Sequence, residues 1–135
     1  MSKIILSADR TCDIGAELQE KYSVNMISYS ITLGENKYQD SVDIFPDDLY
    51  EEFHKTGTLP QTSAINPSEY MDYFKKWTDE GYEVIHLTLS SAITSSYQSC
   101  LLAAEELPGV YVIDSRNVSS AIALLVIEAG ERIAK

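Results

Sequence analysis

The chain has 135 residues, with 10 Lys and Arg against 21 Asp and Glu, and carries a formal net charge of −11. A chain of this length supports one ordinary hydrophobic core and leaves no room for two well-sized ones. The acidic balance argues against DNA, RNA or anionic membrane surfaces as partners, because such partners are held mainly through their phosphates.

Hydrophobic residues make up 44% of the chain, so a folded domain is expected despite the charge. The opening run, Lys3 to Ser7, predicts a buried strand. Asp13 suits an N-cap, and good helix formers continue from it to Tyr22. Val24 to Ser28 predicts a second strand. Strand, helix and strand in this order make a βαβ start, which favours parallel strands. Ile31 and Leu33, then Gly34-Glu35-Asn36, then Tyr38 predict a hairpin. Pro46, with acids around it, opens a helix whose apolar face is Leu49, Tyr50 and Phe53. Gly57 and Pro60 close it.

Asn66-Pro67 repeats the N-cap and first-turn proline. Tyr70, Tyr73, Phe74 and Trp77 then fall at helical spacing as a core stripe, up to Gly81. Glu83 to Leu89 predicts a central strand. A helix from about Ser91 to Glu106 follows, with Leu101, Leu102 and Ala104 toward the core. Val110 to Ile113 predicts the last strand, and Val118 to Ala134 a final helix. The alternation specifies a three-layer α/β/α sandwich with a mostly parallel sheet, in a single domain over 1–135. The longest apolar run, Ala121 to Ile127, is far short of the ~20 residues that cross a bilayer. No signal-peptide pattern opens the sequence, and a cytoplasmic protein is expected.

In such folds ligands sit at the carboxyl ends of the strands. Ser7-Ala8-Asp9-Arg10-Thr11, the stretch from Ser90 to Ser96 and Asp114-Ser115-Arg116-Asn117 fall there. Gln61-Thr62-Ser63 precedes the third helix. Thr88, Ser90, Ser91, Thr94, Ser95, Ser96 and Ser99 crowd one segment, although helix interiors gain nothing from so many hydroxyls. A helix N-terminus does gain, because its free N–H groups and dipole attract an anion. One explanation is a carboxylate or phosphate held by neutral donors. The other is an N-cap at Ser90 or Ser91 among solvated hydroxyls.

Collinear motifs bear on that choice. Ser7-Ala8-Asp9-Arg10-Thr11-Cys12-Asp13 is followed by Tyr38-Gln39-Asp40-Ser41-Val42-Asp43-Ile44 and Leu59-Pro60-Gln61-Thr62-Ser63. Ser90-Ser91, Ser96-Tyr97-Gln98-Ser99, Ala103-Ala104-Glu105 and Val112-Ile113-Asp114-Ser115 complete the order. Together these resemble the DegV family of bacterial fatty-acid-binding proteins. The resemblance implies a long-chain fatty acid whose tail lies in an apolar tunnel and whose carboxylate is held by Ser and Thr hydroxyls. It implies a carrier rather than an enzyme, acting as the acyl-carrying partner of a fatty acid kinase in phospholipid synthesis. Carried onto this chain, the head group falls to Thr62 and Thr94, then Ser63 and Ser91. Asp9, Ser90, Ser95, Asp114 and Ser115 take supporting roles.

The motifs depart from the family pattern in places. Arg10 stands where a Ser is common. Ala92 and Ser95 replace glycines of the loop after the central strand, and Thr94 replaces a Ser while keeping the hydroxyl. Family members also continue into a second α/β domain, and this sequence is expected to correspond to the first domain alone. Half a tunnel exposes apolar surface, so a homodimer or weak lipid affinity is expected.

The remaining residues point to no other chemistry. His86, in an apolar strand, reads as a satisfied core histidine. No His, Cys and carboxylate set has metal spacing, and the acids from Asp40 to Glu52 lack a calcium-loop pattern. Cys12 and Cys100 read as buried free thiols. A serine hydrolase lacks its Gly-x-Ser-x-Gly elbow. The alternative is an enzyme, or its remnant, acting on a phosphorylated small molecule at the same helix N-terminus. It is disfavoured because no Gly-rich phosphate loop or Lys lies in these segments. No cofactor beyond the bound fatty acid is expected.

Overall fold

The structure, a computed structural model, describes residues 3–135. In chain order its elements are β1 (Ile4–Asp9), α1 (Ala16–Lys21), β2 (Asn25–Ile27), β3 (Ser30–Leu33), β4 (Asn36–Gln39) and α2 (Pro46–Thr56). They continue with β5 (Gln61–Ser63), α3 (Pro67–Thr78), β6 (Glu83–Thr88), α4 (Ser96–Glu106), β7 (Val110–Asp114) and α5 (Ser120–Ile133). Contacts gather these into two compact units, one of residues 1–27 and 65–135, the other of residues 28–64.

The first unit holds a four-stranded sheet in the order β2-β1-β6-β7, with every pairing parallel. This is the expected α/β architecture with a mostly parallel sheet. Neighbouring side chains on a strand point to opposite faces. Ser7 and Asp9 therefore face α3, where Ser7 meets Tyr73. Leu6 and Ala8 face the other way, toward α5, which packs on β1. Ile122 and Val126 of α5 are fully buried, as are Val84 of β6, Tyr70 and Phe74 of α3 and Cys100 and Ala103 of α4. No helix among the described residues is long and apolar enough to cross a membrane.

α3 begins as its sequence predicts. Asn66 accepts the Glu69 N–H at 2.9 Å, and Glu69 accepts the Asn66 N–H at 2.8 Å. This reciprocal cap, with Pro67 in the first turn, satisfies two of the donors a helix start leaves open. α5 passes close to Tyr22 at Gly130, where an added Cβ would lie 2.6 Å from the tyrosine ring.

The second unit is a three-stranded antiparallel sheet in the order β4-β3-β5, with α2 after the hairpin. Gly34, at φ 63, closes the expected turn. The unit's core is small: Ile31, Leu33 and Ile44 are buried, with Tyr38 and Leu49 packed against them.

The structure corrects several expectations. The first helix starts at Ala16, after a Gly15 N-cap, and not at Asp13. Asp13 instead closes a 3-10 turn at φ 50 and donates its N–H to the Arg10 carbonyl. α4 starts at Ser96 and not at Ser91, because the hydroxyls before it hydrogen-bond their own turn. Its core side runs through Ser96, Cys100, Ala103 and Leu107, and Leu102 is exposed. β5 is an additional strand whose three residues are all exposed, so no apolar pattern marks it.

Candidate functional site

Parallel pairing brings the carboxyl ends of β1, β6 and β7 to one edge of the first unit. The loops after β6 and β7 are laced together there. Ser90 donates its N–H to the Asn117 carbonyl at 3.1 Å, and Ser115 donates to the Thr88 carbonyl at 3.4 Å. The Asp114 carboxylate accepts the Ser91 N–H at 3.2 Å, the Arg116 N–H at 3.0 Å and the Ser91 hydroxyl. Desolvation opposes the Asp114 charge, but these three bonds outweigh it and hold the carboxyl below its usual range. Ser115, largely buried, uses its hydroxyl to accept the Asn117 N–H and to donate to the Asn117 carbonyl.

The Ser90–Ser96 segment is a sequence of local turns. The Ser90 hydroxyl accepts the Ala92 N–H at 3.2 Å, and the Ser90 carbonyl accepts the N–H groups of Ile93 and Thr94. Thr94 accepts the Ser96 N–H and donates to the Ser96 hydroxyl, both at 3.1 Å. Ser96 is fully buried and accepts the Ile65 N–H. Ser95, at the N-cap of α4, makes no capping bond and is exposed. The predicted site hydroxyls of this unit, Ser90, Ser91, Thr94, Ser95 and Ser115, are thus gathered at one edge, and all of these but Ser95 already have internal partners.

Backbone strain collects at the same edge. Asp13, Arg116 and Ser119 all have positive φ, and Ser119 sits at φ 55, ψ −130 just before α5. Its hydroxyl donates to Asp13 at 2.7 Å. Such conformations cost about 1–3 kcal/mol each and cluster where function requires a fixed geometry. In the turn after β1, Thr11 Oγ1 is buried with no hydrogen-bond partner among the described residues.

Asp9 does not reach this surface. It is fully buried beneath it, accepting the Tyr70 hydroxyl at 2.7 Å and the Leu89 N–H at 2.9 Å. His86 Nε2 lies 2.9 Å from the same carboxylate, and His86 Nδ1 lies 2.8 Å from the Ser7 hydroxyl. Ser7 in turn meets the Tyr73 hydroxyl at 2.7 Å. Burial pushes the Tyr73 phenol well above its usual range, although the Ser7 bond acts the other way. Ser7, His86 and Asp9 resemble a hydrolytic trio in composition, but all three are fully buried and no substrate reaches Ser7 in this arrangement. Sequence reading identified His86 as a core residue but missed the network. Its signal was Ser7 and Asp9, two residues apart on β1, and His86 between apolar neighbours on β6.

Thr62 and Ser63 belong to the second unit. They lie on β5, opposite Ile31 and Ser30 of β3. Both are exposed, and neither side chain makes a hydrogen bond among the described residues. The same unit carries an apolar groove of about 410 Å³, lined by Pro46, Leu49, Tyr50, Phe53, Leu59 and Pro60. Cys12 and Cys100 are buried free thiols, and desolvation raises the pKa of both.

Comparison with known proteins places the chain among relatives. The DegV family model, whose description reads "Uncharacterised protein, DegV family", matches residues 3–135. A DegV domain-containing protein of Clostridium perfringens is 38% identical over 135 residues, covering 98% of this chain and 48% of the relative. Among solved structures, a DegV family protein from Thermus thermophilus, described as fatty acid binding, matches with a TM-score of 0.87 at 27% identity. That match covers 98% of this chain and 48% of the other. A stearic acid-binding protein from Eubacterium ventriosum matches with a TM-score of 0.85 at 30% identity, covering 99% and 48%. DegV of Bacillus subtilis, a fatty acid binding protein, matches with a TM-score of 0.89 at 26% identity, covering 99% and 48%. The chain spans about half the length of the relatives it matches.

Proposed function

The chain belongs to the DegV family, and from that premise we propose that it takes part in binding a long-chain fatty acid. The observation that carries this reading is the likeness, at 26–30% identity, to solved proteins described as fatty acid binding. The ligand's carboxylate is held by neutral hydroxyls, with Thr62 and Thr94 in the leading roles and Ser63 and Ser91 next. Ser90, Ser95, Asp114 and Ser115 take supporting roles at the carboxyl edge of the parallel sheet. Neutral donors suit a chain of net charge −11, because they hold an anion without recruiting a cation. The chain performs no chemistry of its own on the acyl group. It presents the carboxylate to a fatty acid kinase, whose acyl phosphate product feeds phospholipid synthesis.

The decisive measurement is lipid extraction of the purified protein followed by mass spectrometry. Copurified long-chain fatty acid is expected, and its absence together with no measurable stearate binding overturns the reading. The Thr62→Ala, Thr94→Ala double variant should lose at least tenfold in stearate affinity, since hydrogen bonds to a charged group contribute about 1.5–3 kcal/mol each. Unchanged affinity would sink the head-group assignment. Apolar side chains left open on the first unit, among them Ile4, Tyr111, Ile113 and Leu124, support association of copies. A clean monomer by light scattering counts against association of copies.

A further inference from the structure

We propose that His86, backed by Ser7 and Tyr73, is a positioning residue that holds the loop after β6 in place through Asp9. This rests on the reading of that loop as part of the carboxylate site. The geometry carries it in four steps. The β1–β6 ladder ends at the Ala8–Leu87 pair, so Leu89 lies just beyond the strand pairing and at the root of the hydroxyl-bearing loop. Its N–H does not join a ladder. It donates to Asp9 Oδ2 at 2.9 Å, while the next N–H, that of Ser90, crosses to Asn117. The Asp9 carboxylate is therefore the anchor on the β1 side of the loop's first residue.

Asp9 is itself fixed from behind. The Tyr70 hydroxyl and His86 Nε2 both lie on its Oδ1, at 2.7 and 2.9 Å. Fully buried and bonded on both oxygens, Asp9 has no freedom to swing toward a ligand. Its part in binding is to aim the loop.

His86 is fixed in the same way. Its second nitrogen is bonded to Ser7, and Ser7 to Tyr73, whichever tautomer the ring adopts. Tyr70, Tyr73 and Phe74 surround the ring edge-on, with centroids 5.6, 6.2 and 5.2 Å away. The chain from Tyr73 through Ser7 and His86 to Asp9 leaves no link of its own unbonded. Buried polar networks cost desolvation and rarely stabilise more than an apolar core would. What this one supplies beyond packing is a rigid acceptor for the Leu89 N–H.

The test separates positioning from general stability. Amide hydrogen exchange is followed by NMR at Leu89, Ser90 and Ser91, with Val84 and Ile85 of β6 reporting global opening. His86→Leu should raise exchange at Leu89 about tenfold more than at Val84 and should weaken stearate binding. His86→Gln, which keeps an N–H for Asp9, should restore much of both. If His86→Leu does not fold, Ser7→Ala provides the milder break, with a selective rise at Leu89 of about threefold. Exchange at Leu89 that rises only in step with Val84, in every folded variant, overturns the proposal. A selective rise at Leu89 with unchanged stearate affinity upholds the positioning role and instead counts against the loop as a carboxylate site.

Discussion

The two regions that carry the candidate hydroxyls use them in opposite ways. At the carboxyl edge of the parallel sheet, Ser90, Ser91, Thr94 and Ser115 spend theirs on neighbouring backbone and on Asp114. On β5 of the second unit, Thr62 and Ser63 hold theirs out to solvent with no partner among the described residues. The first arrangement builds a rigid loop, and the second offers donors at no structural cost. A ligand carboxylate at Ser91 must displace an existing bond to Asp114, whereas one at Thr62 displaces only water. Hydroxyl density alone therefore does not identify the groups that bind. The contrast makes the proposed contacts unequal in cost: Thr62 and Ser63 are open to a ligand, whereas Ser91 and Thr94 must first give up internal bonds.

The sharpest way to break this contrast is to remove a side chain from each region and compare stability. Asp9→Ala removes the partner that the Tyr70 hydroxyl, the Leu89 N–H and a His86 nitrogen share in the core. Each buried group left without a partner costs about 1–3 kcal/mol, so a loss of about 3 kcal/mol or more is expected in chemical denaturation. Thr62→Ala should stay within about 0.5 kcal/mol of the parent, as exposed substitutions do. Comparable losses in the two variants would refute the division of labour.

A pair of glycine substitutions makes the same comparison through packing. Gly130→Ala in the first unit drives its Cβ to 2.6 Å from Tyr22 Cδ1 and 3.1 Å from Tyr22 Cβ, which lies too near the backbone to move aside freely. Overpacking of this kind costs about 1–3 kcal/mol. Gly34→Ala in the second unit meets nothing within 4 Å and suffers only from its φ of 63. The penalty there is about 1 kcal/mol. Thermal unfolding should rank the two in that order, and the reverse order would show that the first unit is less tightly packed at α5 than its geometry indicates.

Much of this was legible in the sequence, for identifiable reasons. The parallel strands are mostly apolar runs, and Asn66-Pro67 and Pro46 mark their helices through local chemistry that tertiary contacts do not alter. The start of α4 was misplaced because Ser90 and Thr94 can either cap a helix or bond their own turn, and only the fold decides between these. β5 was missed because a strand exposed at every residue has no alternation to read. Asp9 was placed at the binding edge by its motif position. Strand alternation instead turns it inward beneath α3, where Tyr70 and His86 hold it. The face a residue occupies follows from period two, but the partner waiting on that face comes from elements far along the chain.

The smallest expected effect tests the cost of recruiting the loop's hydroxyls. The Asp114 carboxyl sits below its usual range because the Ser91 hydroxyl and the Arg116 and Ser91 N–H groups outweigh its desolvation. A carboxylate whose folded pKa is depressed stabilises the fold above its unfolded value, about 3.9, and loses that contribution as pH falls through the folded value. The tie between the loops after β6 and β7 should therefore be intact at neutral pH and weaken only below about pH 4. The site is open to solvent, so salt screens the charge and the change in global stability is slight. Amide chemical shifts of Ser91 and Arg116 should titrate together with a midpoint below the ordinary carboxylate range. Ser91→Ala should move that midpoint upward by removing the side-chain bond. A midpoint unmoved by the substitution would mean that Ser91 is not committed to Asp114. Its hydroxyl would then be as available to a ligand as those of Thr62 and Ser63, and the contrast between the two regions would lose one of its main supports.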